Sequence, residues 1–192
     1  MNFKSFLAAL MLAASSMASH AVTVQLDPVG TPQVGQSFDL QLRLDSPFDG
    51  LSTDETLLSF GFHLGFDSSL LTLTSFTPAS GWDDDSAHLG ANIFSASNFP
   101  GIFNEGQDSL LLATLHFDVL QAGSTLVSLF TDAGDLNQGL GYLLVDPVAF
   151  NVSEALNIAA PVPEPGTVVL MAGGLAGLAA WRRRSAKSLS AA

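Results

Sequence analysis

Between its two hydrophobic ends the chain alternates apolar and polar residues with a period of two, and no segment there shows helical spacing with caps. Residues 36–44 place Phe38, Leu40, Leu42 and Leu44 on one side and Asp39, Gln41 and Arg43 on the other. Residues 58–66 repeat the pattern, with Leu58, Phe60, Phe62, Leu64 and Phe66 against Ser59, Gly61, His63 and Gly65. Residues 111–119 set Leu111, Ala113, Leu115, Phe117 and Val119 opposite Leu112, Thr114, His116 and Asp118. Successive side chains of a strand leave on opposite faces, so each segment is predicted as a half-buried strand. Weaker strand candidates are residues 22–26, 70–76, 92–96, 125–131, 142–145 and 148–152. Turn chemistry separates them at Pro28-Val29-Gly30, Asp49-Gly50, Asp67-Ser68-Ser69, Glu105-Gly106, Ala122-Gly123 and Asp146-Pro147. About nine short strands, with a turn roughly every 8–12 residues, predict an all-β antiparallel sandwich. Each strong strand has one apolar face to close on a second sheet.

Both ends have a different character. Residues 1–21 carry Lys4, an apolar stretch over 6–14, and Ser19-His20-Ala21 with small residues at its first and last positions. That is the layout of a cleaved signal peptide, with the cut expected after Ala21. Near the other end come Pro163-Glu164-Pro165, an apolar run over 167–181, and Arg182-Arg183-Arg184. As a helix the run would rise about 23 Å, short of the roughly 30 Å hydrocarbon core of a bilayer. The arginines would hold its end on the cytoplasmic side, which leaves everything upstream exported. The expected organisation is a signal peptide (1–21), a single domain (22–160) and a C-terminal hydrophobic segment (161–192).

Charge and cysteine content narrow what the domain can do. Of 18 Asp and Glu, all but Glu164 fall in residues 22–160, and of six Lys and Arg only Arg43 does. Phosphate backbones bind through Lys and Arg, so nucleic acid is excluded as a partner. Anionic headgroups are disfavoured on the same ground. The chain has no cysteine, which removes disulfides, thiol catalysis and cysteine-ligated zinc.

Candidate chemistry is sparse. Asp83, Asp84 and Asp85 follow Trp82 in a polar stretch expected to be a loop, and offer hard oxygen ligands of the kind Ca²⁺ takes. Asp132 and Asp135 offer a second such set, without the spacing of an EF-hand. Calcium is the one candidate cofactor. Trp82 is the first candidate for glycan contact, because its acidic neighbours argue against deep burial; Phe94, Phe99, Phe103 and Tyr142 follow. His63 and His116, on the polar sides of strong strands, would approach one another if those strands pair. No nucleophile elbow, phosphate loop or zinc-protease helix occurs.

The order of Pro163-Glu164-Pro165, short apolar helix and Arg182-Arg183-Arg184 resembles the PEP-CTERM sorting signal of Gram-negative bacteria. The resemblance implies recognition by a membrane-embedded exosortase, transient anchoring in the inner membrane and cleavage near the Pro-Glu-Pro motif. Three segments of the domain resemble cohesin-like modules. They are Gln33-Val34-Gly35-Gln36-Ser37-Phe38-Asp39-Leu40, the unit from Phe60 through Phe66-Asp67 to Leu71, and Leu111-Ala113-Leu115-Phe117 followed by Gly123. Ser68 stands where that family usually has proline after the aspartate. The function expected is a non-catalytic cell-surface or extracellular-matrix protein associated with exopolysaccharide. Two alternatives stay open: a cohesin-type module binding a dockerin-like protein, and a polysaccharide-acting enzyme using an Asp/Glu pair.

Overall fold

The computed structural model describes residues 22–160 apart from 133, together with residues 170, 171, 173–176 and 178. The signal peptide over 1–21, the Pro163-Glu164-Pro165 motif and Arg182-Arg183-Arg184 lie outside the described residues. The chain divides into two units after Ala160. The described residues of the second are helical, and no helix among the described residues is long and apolar enough to cross a membrane.

Among the described residues of the first unit the alternation becomes ten strands: β1 (Thr23–Val29), β2 (Ser37–Asp45), β3 (Thr56–Gly65), β4 (Leu71–Pro78), β5 (Asp83–Asp84), β6 (Ile93–Phe103), β7 (Ser109–Val119), β8 (Gly123–Phe130), β9 (Gly139–Tyr142) and β10 (Asn151–Ile158). They form two antiparallel sheets, one in the order β1-β2-β7-β4 and one in the order β10-β8-β3-β6-β5. One edge of β3 is shared in succession, by β9 along residues 57–61 and by β8 along 63–65. The apolar faces meet in one core, where Leu40, Leu42, Leu44, Phe60, Phe62, Leu115, Phe117 and Leu129 are fully buried. This is the expected β-sandwich.

Two strands change phase partway, which corrects the expected faces. In β3 it is Leu57 that is fully buried, while Leu58 is only half-buried. In β7 Leu112 is fully buried and Leu111 half-buried. Both pairings shift register there, between Leu57 and Ser59 against β9 and β6, and between Leu42 and Arg43 against β7. A bulge puts an extra residue into one strand, so the inward set before it falls one position away from strict alternation. On β6 the insertion is larger, since residues 98–101 all stand opposite Leu58. Gly101 sits there at φ 109°, against Thr56 Cγ2 and the Leu57 carbonyl, where a side chain has neither the conformation nor the room.

Strand ends differ from the expected ones. Residues 143–145 lie beyond β9, and of the segment 148–152 only Asn151 and Val152 fall in β10, while Val148 makes an isolated bridge to Leu140. Short apolar runs with Pro and Gly between them do not fix where pairing begins.

Candidate functional site

The two outer sheet faces differ in charge. On the four-stranded sheet, β1, β2 and β7 present Asp27, Asp39, Asp45 and Asp118 with Arg43 and His116. Arg43 Nε lies 3.9 Å from Asp27 Oδ2, and His116 Nδ1 lies 2.6 Å from Asp39 Oδ1. On the six-stranded sheet the outward residues of β10, β8 and the end of β3 include no Asp, Glu, Lys or Arg. Phe130 stands opposite Asn151 and His63, Ser128 opposite Ser153 and Gly65, and Leu126 opposite Ala155. Leu126 and Phe130 are about half exposed. The Phe130 ring stacks on His63 with centroids 5.1 Å apart and planes 9° apart. Gly65 has the Ser128 hydroxyl 2.8 Å from where a β-carbon would stand, so glycine there lets β8 come in close. The result is a flat face of small polar residues with two apolar anchors. Its signal in the sequence is Ser124-Leu126-Ser128-Phe130, an alternation without charge in a chain rich in acids.

A loop closes this face on one side. The Asn137 carbonyl lies over Gly61, in the space a β-carbon would need, so the chain leading into β9 rests on β3 there. Hydrogen bonds within that loop use its carboxylates. Asp132 Oδ1 accepts from the Gly134 amide at 2.9 Å, and Asp135 Oδ1 accepts from the Asn137 amide at 2.9 Å. Asp135 Oδ2 accepts from Gln138 Nε2 at 2.9 Å. Those bonds, led by the Asn137 amide, hold the Asp135 carboxyl below the usual carboxylate range.

The other candidate residues fall as follows. Asp83 and Asp84 pair with Ser97 and Ala96 of β6 rather than forming an open loop. Asp84 Oδ1 accepts from the Ser86 amide at 2.9 Å, opening a single 3-10 turn at Ser86–His88. Neighbours on an extended chain point apart. Among the described residues no three His, Cys, Asp or Glu side chains gather as a metal site.

Trp82 corrects the expectation of an exposed ring. It is 8% exposed and packs edge-on to Phe60, centroids 5.0 Å apart. The turn from Ala79, with Gly81 at φ 90°, delivers the indole inward while Asp83 and Asp84 stay exposed. Acidic neighbours predict the exposure of their own side chains, not of the residue beside them. Phe94 and Tyr142 are also interior; Phe99 is 95% exposed and Phe103 54%. His63 and His116 lie in different sheets, because β3 pairs with β6, β8 and β9 and never with β7.

One groove of about 260 Å³ has two carboxylates on its wall, Asp135 and Asp146. Nothing in the local sequence pattern singles out Glu55, which is 1% exposed. Its Oε1 accepts from the amides of Thr56 at 3.1 Å and Leu144 at 2.9 Å, while Oε2 has no partner.

Two antiparallel sheets of ten strands, closed on one core, make a cohesin-like fold. Its solved neighbours include a cohesin module from a family 33 glycoside hydrolase of Clostridium perfringens, with a TM-score of 0.54 at 14% identity over 72% of this chain and 97% of that module. Another is the sixth cohesin of scaffoldin B from Acetivibrio cellulolyticus, with a TM-score of 0.47 at 16% identity over 72% and 99%. No curated protein matches the chain. Residues 161–184 match the PEP-CTERM protein-sorting motif. The chain is therefore a cohesin-like β-sandwich carrying a PEP-CTERM signal, which marks it for exosortase-sorted export in a Gram-negative cell.

Proposed function

We propose that residues 22–160 are a non-catalytic recognition domain that, after export, docks a protein partner through the outer face of β10, β8 and β3. The observation that carries this reading is that no Asp, Glu, Lys or Arg stands at the outward positions of those three strands, in a domain with 17 Asp and Glu. Burying charge without a partner is costly, whereas Ser, Asn and Gly can be covered once their hydrogen bonds are met. Leu126 and Phe130 supply the apolar centre that such contacts need. The scaffoldin B cohesin was solved in complex with a dockerin. Fold likeness alone does not carry that partner across.

Exopolysaccharide association is the second reading, and Phe99 and Phe103 are the observation in its favour. Both rings are exposed on the irregular part of β6, where a sugar face could stack. One experiment separates the two. Mature domain, wild type and a Leu126→Asp, Phe130→Asp double variant, is used as bait against the host secretome and against purified host polysaccharide. A stoichiometric protein captured by the wild type and lost by the variant supports the sheet-face reading. Glycan binding that survives this variant but is lost on Phe99→Ala, Phe103→Ala replaces it. Turnover of glycan, abolished by one carboxylate substitution, overturns both.

A further inference from the structure

We infer that the groove between residues 135–138 and 146–149 receives a lysine or arginine side chain of the protein partner that covers Phe130. That assignment rests on the docking face of β10, β8 and β3 and gives its partner a chemistry.

The groove holds about 260 Å³ and is lined by Asp135, Leu136, Gln138, Asp146, Pro147 and Ala149. It borders the Phe130 end of the face. The hydroxyl of Thr131, next in the chain after Phe130, donates to the Phe150 carbonyl at 3.1 Å and accepts from the Phe150 amide at 3.0 Å. Phe150 packs on the core, so Ala149 and Asn151 turn to the outer side, and Asn151 stands opposite Phe130. On the other wall Asp135 is within electrostatic reach of His63, whose ring stacks on Phe130. A protein lying on Phe130 and Leu126 therefore has the groove at its rim.

The walls are of two kinds. Leu136, Pro147 and Ala149 are apolar, while Asp135 and Asp146 carry carboxylates. An ionised carboxylate offers about four acceptor positions. At Asp135 the Asn137 amide, Asn137 Nδ2 and Gln138 Nε2 fill three of them, which fixes its direction and leaves Oδ2 room for another donor. The Asp146 carboxylate is exposed and has no partner among the described residues. The one Lys or Arg of residues 22–160, Arg43, is on the other sheet beside Asp27. A cation that answers the groove comes from another molecule.

Lys and Arg side chains match both walls at once, with a methylene stem for the apolar surface and a charged head rich in donors. An exposed ion pair is worth little in water. Covered by a partner it is screened less, and Arg is enriched where protein surfaces meet. Ca²⁺ fits less well, since it takes about six to eight oxygens and gains nothing from apolar walls. A second copy of residues 22–160 would bring only Arg43.

The test takes the protein as its host exports it, isotope-labelled, and titrates it with the blocked tripeptides Gly-Arg-Gly, Gly-Lys-Gly and Gly-Gln-Gly while NMR follows the amides. The basic peptides should shift Leu136, Gln138 and Ala149 saturably, and the glutamine peptide should not. Asp146→Asn, at a side chain with no bond to lose, should weaken that binding about tenfold, as removal of a charge at a contact does. Asp83→Asn, the same charge removed at the opposite edge of the sheet, should leave it unchanged. Raising sodium chloride from about 50 to about 500 mM should weaken it too. Absence of saturable shifts at the groove overturns the proposal, as does an equal response to the glutamine peptide or full affinity in a folded Asp146→Asn variant. Calcium chloride that reproduces the shifts at equal ionic strength overturns it as well, since the groove would then be an ion site. Capture from the host secretome keeps face and groove apart. A protein lost on Leu126→Asp, Phe130→Asp and held about tenfold more weakly by Asp146→Asn supports both. One lost on the sheet-face pair but held normally by Asp146→Asn keeps the face and rejects the groove. Peptide binding at the groove, with capture indifferent to the sheet-face pair, keeps the basic-residue site and rejects the face.

Discussion

The backbone carbonyl of Asn137 occupies the space that a β-carbon on Gly61 would fill. Gly61 is buried on the outward side of β3 beneath that loop, between Phe60 and Phe62 whose rings fill the core. The loop therefore rests on the sheet only because residue 61 has no side chain.

Gly61→Ala should destabilise the domain by about 1–3 kcal/mol, the usual cost of forcing a methyl into a packed site. The damage should concentrate around Asn137, in residues 134–138. Urea melts give the size, and limited proteolysis gives the place. Unchanged protease resistance in the loop would mean that it does not depend on Gly61.

Trp82→Ala should cost about 3–5 kcal/mol, because it empties the volume packed on Phe60. Phe99→Ala, at the most exposed ring, should stay within about 0.5 kcal/mol. Equilibrium denaturation of the two variants checks the contrast. A Trp82→Ala domain as stable as wild type would contradict its place in the core.

Glu55 supports two amides from inside the domain. Glu55→Ala leaves the Thr56 and Leu144 donors without acceptors and should destabilise by about 1–3 kcal/mol for each donor that water does not reach. Glu55→Gln keeps an acceptor at Oε1 and removes a buried charge, so it should be better tolerated than the alanine variant. The order of their urea midpoints decides the matter.

Tyr142 is the only tyrosine in the chain, so tyrosinate absorbance reports on it alone. Its hydroxyl donates to the Pro47 carbonyl, and burial, with the Glu55 charge adding to it, pushes its pKa up. The unfolded chain ionises this group near pH 10. Above that the unfolded state releases a proton that the native state keeps, so the native state binds more protons and stability falls as pH rises. The contribution is complete below about pH 10 and is lost progressively above it. Spectrophotometric titration should show no tyrosinate at pH 10 in the folded protein; a midpoint there would place Tyr142 in water.

Calcium should raise the melting temperature no more than magnesium at matched ionic strength. Asp132 and Asp135 are engaged with Gly134, Asn137 and Gln138, and Asp83 and Asp84 alternate along a strand. A bound ion at a hundredfold excess over its Kd would add about 2.7 kcal/mol, several degrees at this size. Differential scanning calorimetry in the two salts distinguishes the outcomes.

By itself the sequence determined the strand character of Phe38 to Leu44 and Phe60 to Phe66, the sandwich class, the neutral and acidic stretches, and the sorting tail. All of these follow from local pattern: side-chain direction repeats every two residues, and charge and hydropathy are read residue by residue. Tertiary structure decided what depends on partners far along the chain. The bulges that bury Leu57 and Leu112 exist only in register with other strands, β9 at Tyr142 for the first and β2 at Leu42 and Arg43 for the second. Trp82 is interior because a turn aims it at Phe60, and His63 and His116 are apart because strand order places them in different sheets. Phe130, Ala155 and His63 meet on one face because β10, β8 and β3 pair there, and Ala159 is fastened to Pro32 and Val34 across more than a hundred residues of chain. Strand pairing is non-local, and no window of sequence contains both sides of it.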